Sequence, residues 1–285
     1  MLRPATPADL DALVALFAAY DVIELGAVEM EATDLQAMLV DETSEGVVAV
    51  EGDRVLGFAD ISESGEAETV ADPGGPDPTG LQRELLAWLL ERARAKGITR
   101  LEHYAGGRPD GAGALLAEAG FAHVRTQWRM VRALNGESAE PVWPDGVTLR
   151  AYDAARDARE VWSLIMRAFA GTFGSHQRTF EQWSLFAVGP GKDAICVVED
   201  RALIAVATVS PRGDSGYIGQ LAVAPEHRGR GLALALLHEA FRRDAAAGLP
   251  ETSLSVDGEN AGARRLYEKA GMHVDREYRR WERDV

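Results

Sequence analysis

The chain has 285 residues, 46% of them hydrophobic, which is enough for two packed domains and too apolar for global disorder. Forty-five acids against 30 bases give a formal charge of −15, which excludes nucleic acid as a favoured partner. No run approaches the ~18 apolar residues of a membrane helix, MLRPATPADLD lacks the pattern of a signal peptide, and one cysteine, Cys196, excludes an internal disulfide and a cysteine-rich metal site. The expectation is a cytoplasmic protein with no membrane partner.

Taken in chain order, Leu2-Arg3-Pro4 opens as a short strand, and a helix carrying Leu10, Leu13, Val14 and Phe17 follows. Residues 47–61, VVAVEGDRVLGFADI, predict strand, acidic turn and strand. A further strand stops at Pro73, and TGLQRELLAWLLERARAKG predicts a long helix closed by Gly97, which suits a left-handed cap. A short strand, a helix ending Ala119-Gly120-Phe121 and a last strand complete this half. A stretch rich in Pro, Gly and acid then intervenes, and the series restarts at Leu149-Arg150-Ala151. A helix carries Val161, Leu164, Ile165 and Phe169. Residues 195–209 lie over 47–61 at a constant offset of 148, with Cys196 as core packing in the first strand. Pro225 precedes a helix in GRGLALALLHEAFRRDAAAG that ends at Gly248, and another helix ends at Ala270-Gly271-Met272. Each half reads β-α-α-β-β-β-α-β-α-β. The predicted fold is a mixed α/β sheet architecture used twice, as domains 1–134 and 147–285 joined by a linker over 135–146. Oligomerisation is left open between monomer and homodimer.

The charge divides unevenly. Residues 1–143 hold 25 acids and 11 bases, whereas residues 144–285 hold 20 acids and 19 bases. An anionic ligand therefore favours the second half.

That half contains a strand candidate, Tyr217–Val223, stopped by Pro225. A tight basic loop, His227-Arg228-Gly229-Arg230-Gly231, follows it, and a helix starts at Leu232. A helix N-terminus offers free N–H groups and a positive dipole end to an anion. Gly229 and Gly231 permit close approach, and Arg228 and Arg230 add charge. The loop lacks the Gly-Lys-Ser/Thr of a Walker loop, and Leu234 stands where a dinucleotide fingerprint needs its third glycine. What remains is Arg228-x-x-Gly231-x-Ala233, followed by VDGENAGARRLYEKAGM over 256–272 with Asn260, Ala263, Leu266, Tyr267 and Gly271 in register.

These two motifs resemble those of the GNAT superfamily of N-acetyltransferases, with Met272 in the usual Phe place, and the doubled series resembles tandem bacterial members. The resemblance implies an acetyl-coenzyme A cofactor and direct acetyl transfer to a primary amine, a small molecule first and a peptide or protein amine second. It implies that Leu221, Ala222 and Val223 run along the pantetheine arm. Arg228, Gly229, Arg230, Gly231, Leu232, Ala233 and Leu234 would cradle the pyrophosphate, and Asn260 would reach the pantetheine region. Arg264, Arg265 and Lys269 are placed for the nucleotide phosphates. Tyr267 would give a proton to the departing thiolate, since a phenol near ~10 and a thiol near ~8.5 can share one. Many members carry a glutamate base on the strand before the loop. Gln220 stands there and cannot accept a proton, which leaves His176 and Glu181 of FGSHQRTFEQW as candidates.

The first half lacks these groups. Pro73 to Gly80 contains no arginine, Asp77 would repel phosphate, Gln82 replaces Ala233, Leu116 replaces Tyr267 and Pro109 replaces Asn260. This half is expected to be a degenerate copy without cofactor, whose acidic run Glu63 to Glu68 attracts a cationic amine. The alternative reading of the whole is a non-catalytic acyl-coenzyme A sensor or partner module.

Overall fold

The computed structural model describes residues 1–135, 139–171 and 179–285, so His176 lies outside the described residues. The elements are β1 (Leu2–Pro4), α1 (Leu10–Glu24), α2 (Ala32–Val40), β2 (Ser44–Glu51), β3 (Arg54–Ser62), β4 (Glu66–Ala71), α3 (Pro78–Lys96), β5 (Arg100–Gly106), α4 (Ala112–Glu118) and β6 (Ala122–Ala133). The series then repeats as β7 (Val147–Ala151), α5 (Ala154–Phe169), α6 (Phe180–Ala187), β8 (Asp193–Glu199), β9 (Ala202–Arg212), β10 (Ser215–Val223), α7 (Leu232–Ala246), β11 (Glu251–Asp257), α8 (Ala261–Lys269) and β12 (His273–Asp284). The α/β order read from the sequence is the order observed in both halves. Among the described residues no helix is long and apolar enough to cross a membrane.

The chain forms two compact units. The first is Met1–Gln127 with Arg276–Val285, and the second is Trp128–Asp275. In the first the strands run β1-β2-β3-β4-β5 and then β12; in the second they run β7-β8-β9-β10-β11 and then β6. Hairpins join the antiparallel strands, whereas β4–β5 and β10–β11 are parallel pairs and need the crossover helices α3 and α7. Helices cover both faces of each sheet, so the strands read as near-continuous apolar runs. In the first unit Val48, Phe58 and Val70 meet Leu13, Phe17 and Leu35 on one face. Val47, Ile61 and Leu101 meet Leu85, Leu89 and Leu116 on the other. In the second unit Cys196, Val206 and Ala222 meet Val161, Ile165 and Trp183. Ile195, Val197 and Ile218 meet Leu236, Leu237 and Phe241. Burial raises the Cys196 thiol to about 11, so it stays a packing group.

The repetition extends to details. The hairpin register shifts between Ala49 and Val50 in one unit and between Val197 and Val198 in the other, again at the offset of 148. Buried Asp9 accepts two bonds from Arg3 at 2.5 and 2.9 Å. Buried Asp157 is held in the same way by Arg150 at 3.2 Å and Arg156 at 2.7 Å. Both carboxyls are drawn down to about 2, chiefly by these guanidinium bonds.

Each unit is closed by a segment from the other half of the chain. In the first unit β12 pairs with β5 from Tyr278↔Gly106 to Asp284↔Arg100, and Arg283 caps the carbonyl of Ala119 after α4. In the second, Arg132 of β6 donates to the carbonyl of Ala270 after α8 at 2.6 Å. No periodicity in the sequence marks this exchange, because a strand's own pattern does not name its partner.

Candidate functional site

Among the described residues β10 and β11 pair over Gly216–Ile218 and Thr252–Leu254. β10 then bulges between Ile218 and Gln220. Beyond the bulge Leu221, Ala222 and Val223 keep their ladder with Ala207, Val206 and Ala205 of β9, while their other edge has no ladder partner among the described residues. A wedge therefore opens between β10 and β11 at their carboxyl ends, the place where open α/β sheets hold ligands.

The loop after β10 lies at this opening. Gly229 and Gly231 have φ of +77° and +84°, a left-handed backbone that side-chain-bearing residues rarely adopt, and only open space surrounds their Cα atoms. Gly231 is the N-cap of α7 and no side chain caps the helix. The first-turn N–H groups of Leu232, Ala233 and Leu234 have no intrahelical partner, so the site offers donors and a positive dipole end. Leu232 is buried in the core, which anchors the turn from beneath. Arg228 donates to the carbonyl of Ala168 at 2.8 Å and towards that of Val223 at 3.4 Å, fixing the loop against the end of α5. Arg230 is paired with Glu199 of β8 at 2.6 and 3.0 Å and donates to His227 Nδ1 at 2.7 Å. Its guanidinium holds Glu199 below the usual carboxylate range. The two arginines therefore differ from the simple expectation of free charge: both brace the loop.

Asn260 is the N-cap of α8, immediately before its first helical residue. Its Oδ1 accepts from Ala263 N at 3.0 Å, which leaves Nδ2 as a donor. Tyr267 is half-buried against the α7 core, and burial pushes its phenol up to about 12. Arg264 is spent on Glu268 at 2.8 Å and stacks 4.4 Å from the ring centre of Trp128. Arg265 and Lys269 are exposed, one turn apart, and neither forms an ion pair among the described residues. Glu181, one candidate base, is 76% exposed on α6 with Arg159 at 3.9 Å.

On the α6 side of β10 lies a cavity of about 370 Å³. Ala187, Lys192, Asp193, Thr208, Tyr217 and Gln220 contribute to its wall. Trp183, fully buried, donates its indole N–H to Gln220 Oε1 at 2.8 Å. No sequence signal singled out Trp183, because its role depends on a neighbour 37 residues away.

The equivalent positions of the first unit are filled by its own side chains. Asp77 caps α3, accepting from Gly80 N at 2.8 Å, and a proline follows it. β4 and β5 pair only at Glu66↔Glu102 and Ala67↔His103, but here the opening holds a buried chain of hydrogen bonds. Gln82 Nε2 donates to the Thr69 carbonyl at 2.9 Å and to Thr69 Oγ1 at 2.7 Å. Thr69 Oγ1 meets His103 Nε2 at 2.9 Å, and His103 Nδ1 meets the Tyr104 carbonyl at 2.7 Å. A carbonyl only accepts, so Nδ1 carries the proton and Nε2 receives the threonine O–H. Burial lowers His103 to about 4 and raises Glu68 to about 8. Glu68 was expected in an acidic run that attracts a cationic amine; its side chain is half-buried, and that packing favours its protonated form. Glu24 accepts from Ala112 N at 3.2 Å, taking at α4 the capping place that Asn260 has at α8.

Comparison with known proteins identifies the family. The model of the acetyltransferase (GNAT) family matches residues 158–272, within the second unit. A mycothiol acetyltransferase of Thermobispora bispora is 32% identical over 247 residues, covering 82% of this chain and 80% of that protein. The chain belongs to the GNAT acetyltransferase family. A second mycothiol acetyltransferase, from Tsukamurella paurometabola, is 33% identical over 74% of this chain and 80% of its own length. Among solved structures, a GCN5-related N-acetyltransferase from Sphaerobacter thermophilus superposes with a TM-score of 0.84 at 28% identity, covering 100% of this chain and 95% of that one. A tandem GNAT protein from the clavulanic acid biosynthesis pathway shares the fold at a TM-score of 0.78 and 19% identity, over 100% and 98% of the two chains. The GNAT chain described here is an acetyl-CoA-dependent acyltransferase.

Proposed function

We propose that the second unit carries the transferase site, moving acetyl from acetyl-CoA to a primary amine of a small molecule, and that the first unit has no cofactor site. The observation that carries this reading is the contrast between two helix N-termini. That of α7 begins at uncapped Gly231, and that of α3 is occupied by the carboxylate of Asp77. An anion meets free N–H donors at one and a like charge at the other. The residues fit the cofactor: the β10–β11 wedge leaves the edge of Leu221, Ala222 and Val223 for an extended amide-bearing arm. The backbone of residues 229–234, anchored through Arg228 and Arg230, would hold the pyrophosphate, and Arg265 and Lys269 would add unspent charge. Arg264 serves by stacking on Trp128, and Asn260 presents Nδ2. The relatives named for mycothiol favour a small-molecule acceptor over a protein.

Acetyl-CoA supplies the activated thioester. Tyr267 remains protonated throughout the working pH range because its phenol sits at about 12. A phenol at that value is a weaker acid than a thiol near ~8.5, so Tyr267 stabilises the departing sulfur by a hydrogen bond rather than by surrendering its proton outright. Leu232 and the α7 core behind it keep the loop donors fixed, so little reorganisation is needed as charge develops.

The test is calorimetric binding of acetyl-CoA together with thiol release over an amine panel. Arg228→Glu combined with Gly231→Pro removes a brace, a donor and the left-handed backbone, and binding is expected to be lost. Asp77→Ala leaves affinity unchanged. Tyr267→Phe keeps affinity and lowers kcat by roughly 10²-fold. Retained binding in the loop variant, or loss in Asp77→Ala, refutes the placement.

A further inference from the structure

The arm proposed to lie along Leu221, Ala222 and Val223 runs back from the loop towards the bulge of β10, and Gln220 stands at that bulge. The 370 Å³ cavity reaches the same residue, so an acceptor lodged there would place its amine at Gln220 and its remainder along the sheet. The side chains on this face determine which remainder fits.

Strand register identifies the face. Gln220 is opposite Thr208, and Trp183 of α6 holds it by an indole N–H bond of 2.8 Å to Oε1. On the other side of the bulge Tyr217 is opposite Ser210. Cross-strand partners lie on one side of a sheet, so these four residues share the α6 side. Gly219 stands between the two rows. A Cβ there would come within 3.1 Å of Thr208 Oγ1 and 3.7 Å of Tyr217, so the glycine keeps the floor clear. The rows are two residues of β9 apart, about 7 Å of strand.

The far row is positively charged. Lys192, immediately before β8, lines the cavity. Arg212, two residues beyond Ser210 on β9, stacks 5.6 Å from the ring centre of Tyr217. Neither forms an ion pair among the described residues. Asp193 does not offset them. It is opposite Val209, which packs in the α7 core, and its carboxylate turns to that side, 3.4 Å from Arg243 of α7. Glu181 of α6 has Arg159 at 3.9 Å. The sequence of residues 172–178, TFGSHQR, contains His176 and Arg178 and no acid. The cavity therefore has an amine end at Gln220 and a cationic end at Lys192 and Arg212.

We infer that the acceptor amine carries an anionic group, a carboxylate or a phosphate ester, about 7 Å from its nitrogen, and that Lys192 and Arg212 select it. Such a group offers two or more oxygen acceptors to an ammonium and a guanidinium, and the Thr208 and Ser210 hydroxyls can bond the chain between the two ends. A dipeptide with a free carboxyl end and an ω-amino acid have this spacing, whereas a single α-amino acid is too short. This inference rests on the placement of the transferase site in the second unit.

The test follows thiol release from acetyl-CoA by the full chain with two matched pairs of acceptors, glycylglycine against its carboxamide and aminobutyl phosphate against aminobutanol. Within each pair the amine is alike and the charge differs, and comparison of the pairs tells carboxylate from phosphate. The anionic member is expected to have the lower KM, by roughly tenfold at low ionic strength and by less at high, because exposed charge pairs are individually weak and are screened. The two members should differ little in kcat. Lys192→Glu combined with Arg212→Glu is expected to invert the KM ratio and Lys192→Arg to keep it, a pattern that a loss of folding cannot produce. Equal KM within both pairs, or an anionic preference that survives the double reversal, overturns the inference. Thiol release that persists in Arg228→Glu with Gly231→Pro, or that is absent with every amine although acetyl-CoA binds, overturns the transferase placement instead.

Discussion

Glu68 supplies a test of how the first unit came to be closed. Its side chain keeps 24% exposure, yet packing and the nearby carboxyls of Asp21 and Asp60 raise it to about 8. The unfolded chain restores an ordinary value near ~4.3. Between these limits the native state holds a proton that the unfolded state has lost, so stability falls as pH rises. Two other buried groups of the same unit titrate below this range. His103, lowered to about 4, adds stability as pH climbs to the ordinary histidine range and nothing further above it. Asp60, raised to about 6, has completed its loss by then. Glu68, at about 8, titrates at the upper end of the window from about pH 6.5 to 8, and comparison with Glu68→Gln separates its share from those of Asp21 and Glu24, which burial also raises. Over those 1.5 units the slope of ~1.36 kcal/mol per unit amounts to about 2 kcal/mol. For a unit of this size that is about 6 °C in melting temperature. The assay is thermal unfolding at a series of pH values, wild type against Glu68→Gln, with hydrogen exchange at β4 and β5 to assign the transition to the first unit. The variant should flatten the decline. Equal slopes in both proteins would refute the claim that Glu68 is held protonated in the native wedge.

Three further outcomes follow from the same contacts. Asp9→Asn and Asp157→Asn should each cost about 1–2 kcal/mol at pH 7 once screening of the exposed guanidinium partners is allowed for, and denaturant unfolding measures it. Their native values lie below the unfolded one, so this stability is present above about pH 4 and fades towards pH 2, where variant and wild type should converge. Ending the chain at Asp275 removes the seven β12–β5 pairs and the Arg283 cap, so β5 amides should lose exchange protection while those of β9 keep it. Arg265→Glu with Lys269→Glu should weaken acetyl-CoA binding about tenfold at low salt and less at high salt, as calorimetry at two ionic strengths would show.

Much of this was legible from residue patterns. Apolar runs and turn residues are local, and they return the same ten elements in both halves. The loop motif was legible because Gly229, Gly231 and the α7 N-terminus act through backbone geometry, which neighbouring residues determine. The side-chain partners were not legible. Nothing adjacent to Arg230 indicates that Glu199, on a strand 31 residues earlier, neutralises it. Asp77 was legible as a repelling charge, but not as a cap that completes its own helix. Glu68 reads as one acid in an acidic run, and only its packing in the fold, close to Asp21 and Asp60, shows that its protonated form is favoured.

The two units therefore record different uses of one opening. Splaying parallel strands leaves unpaired backbone edges and a helix N-terminus with free N–H groups, and burying these without partners costs about 1–3 kcal/mol each. A unit with such an opening must fill it. The first does so permanently, with Asp77 at the helix, Glu24 at Ala112, and Gln82, Thr69 and His103 across the strands. In the second unit, among the described residues, the corresponding helix end has no side-chain cap and the strand edge no ladder partner. The donors that the first unit satisfies from within have no such partners among the described residues of the second, which is what the proposed cofactor site requires. Restoring an opening in the first unit by Asp77→Gly and Gln82→Ala should lower its stability without creating acetyl-CoA affinity, since Glu24 still occupies the α4 end; calorimetric binding at that unit would contradict this account.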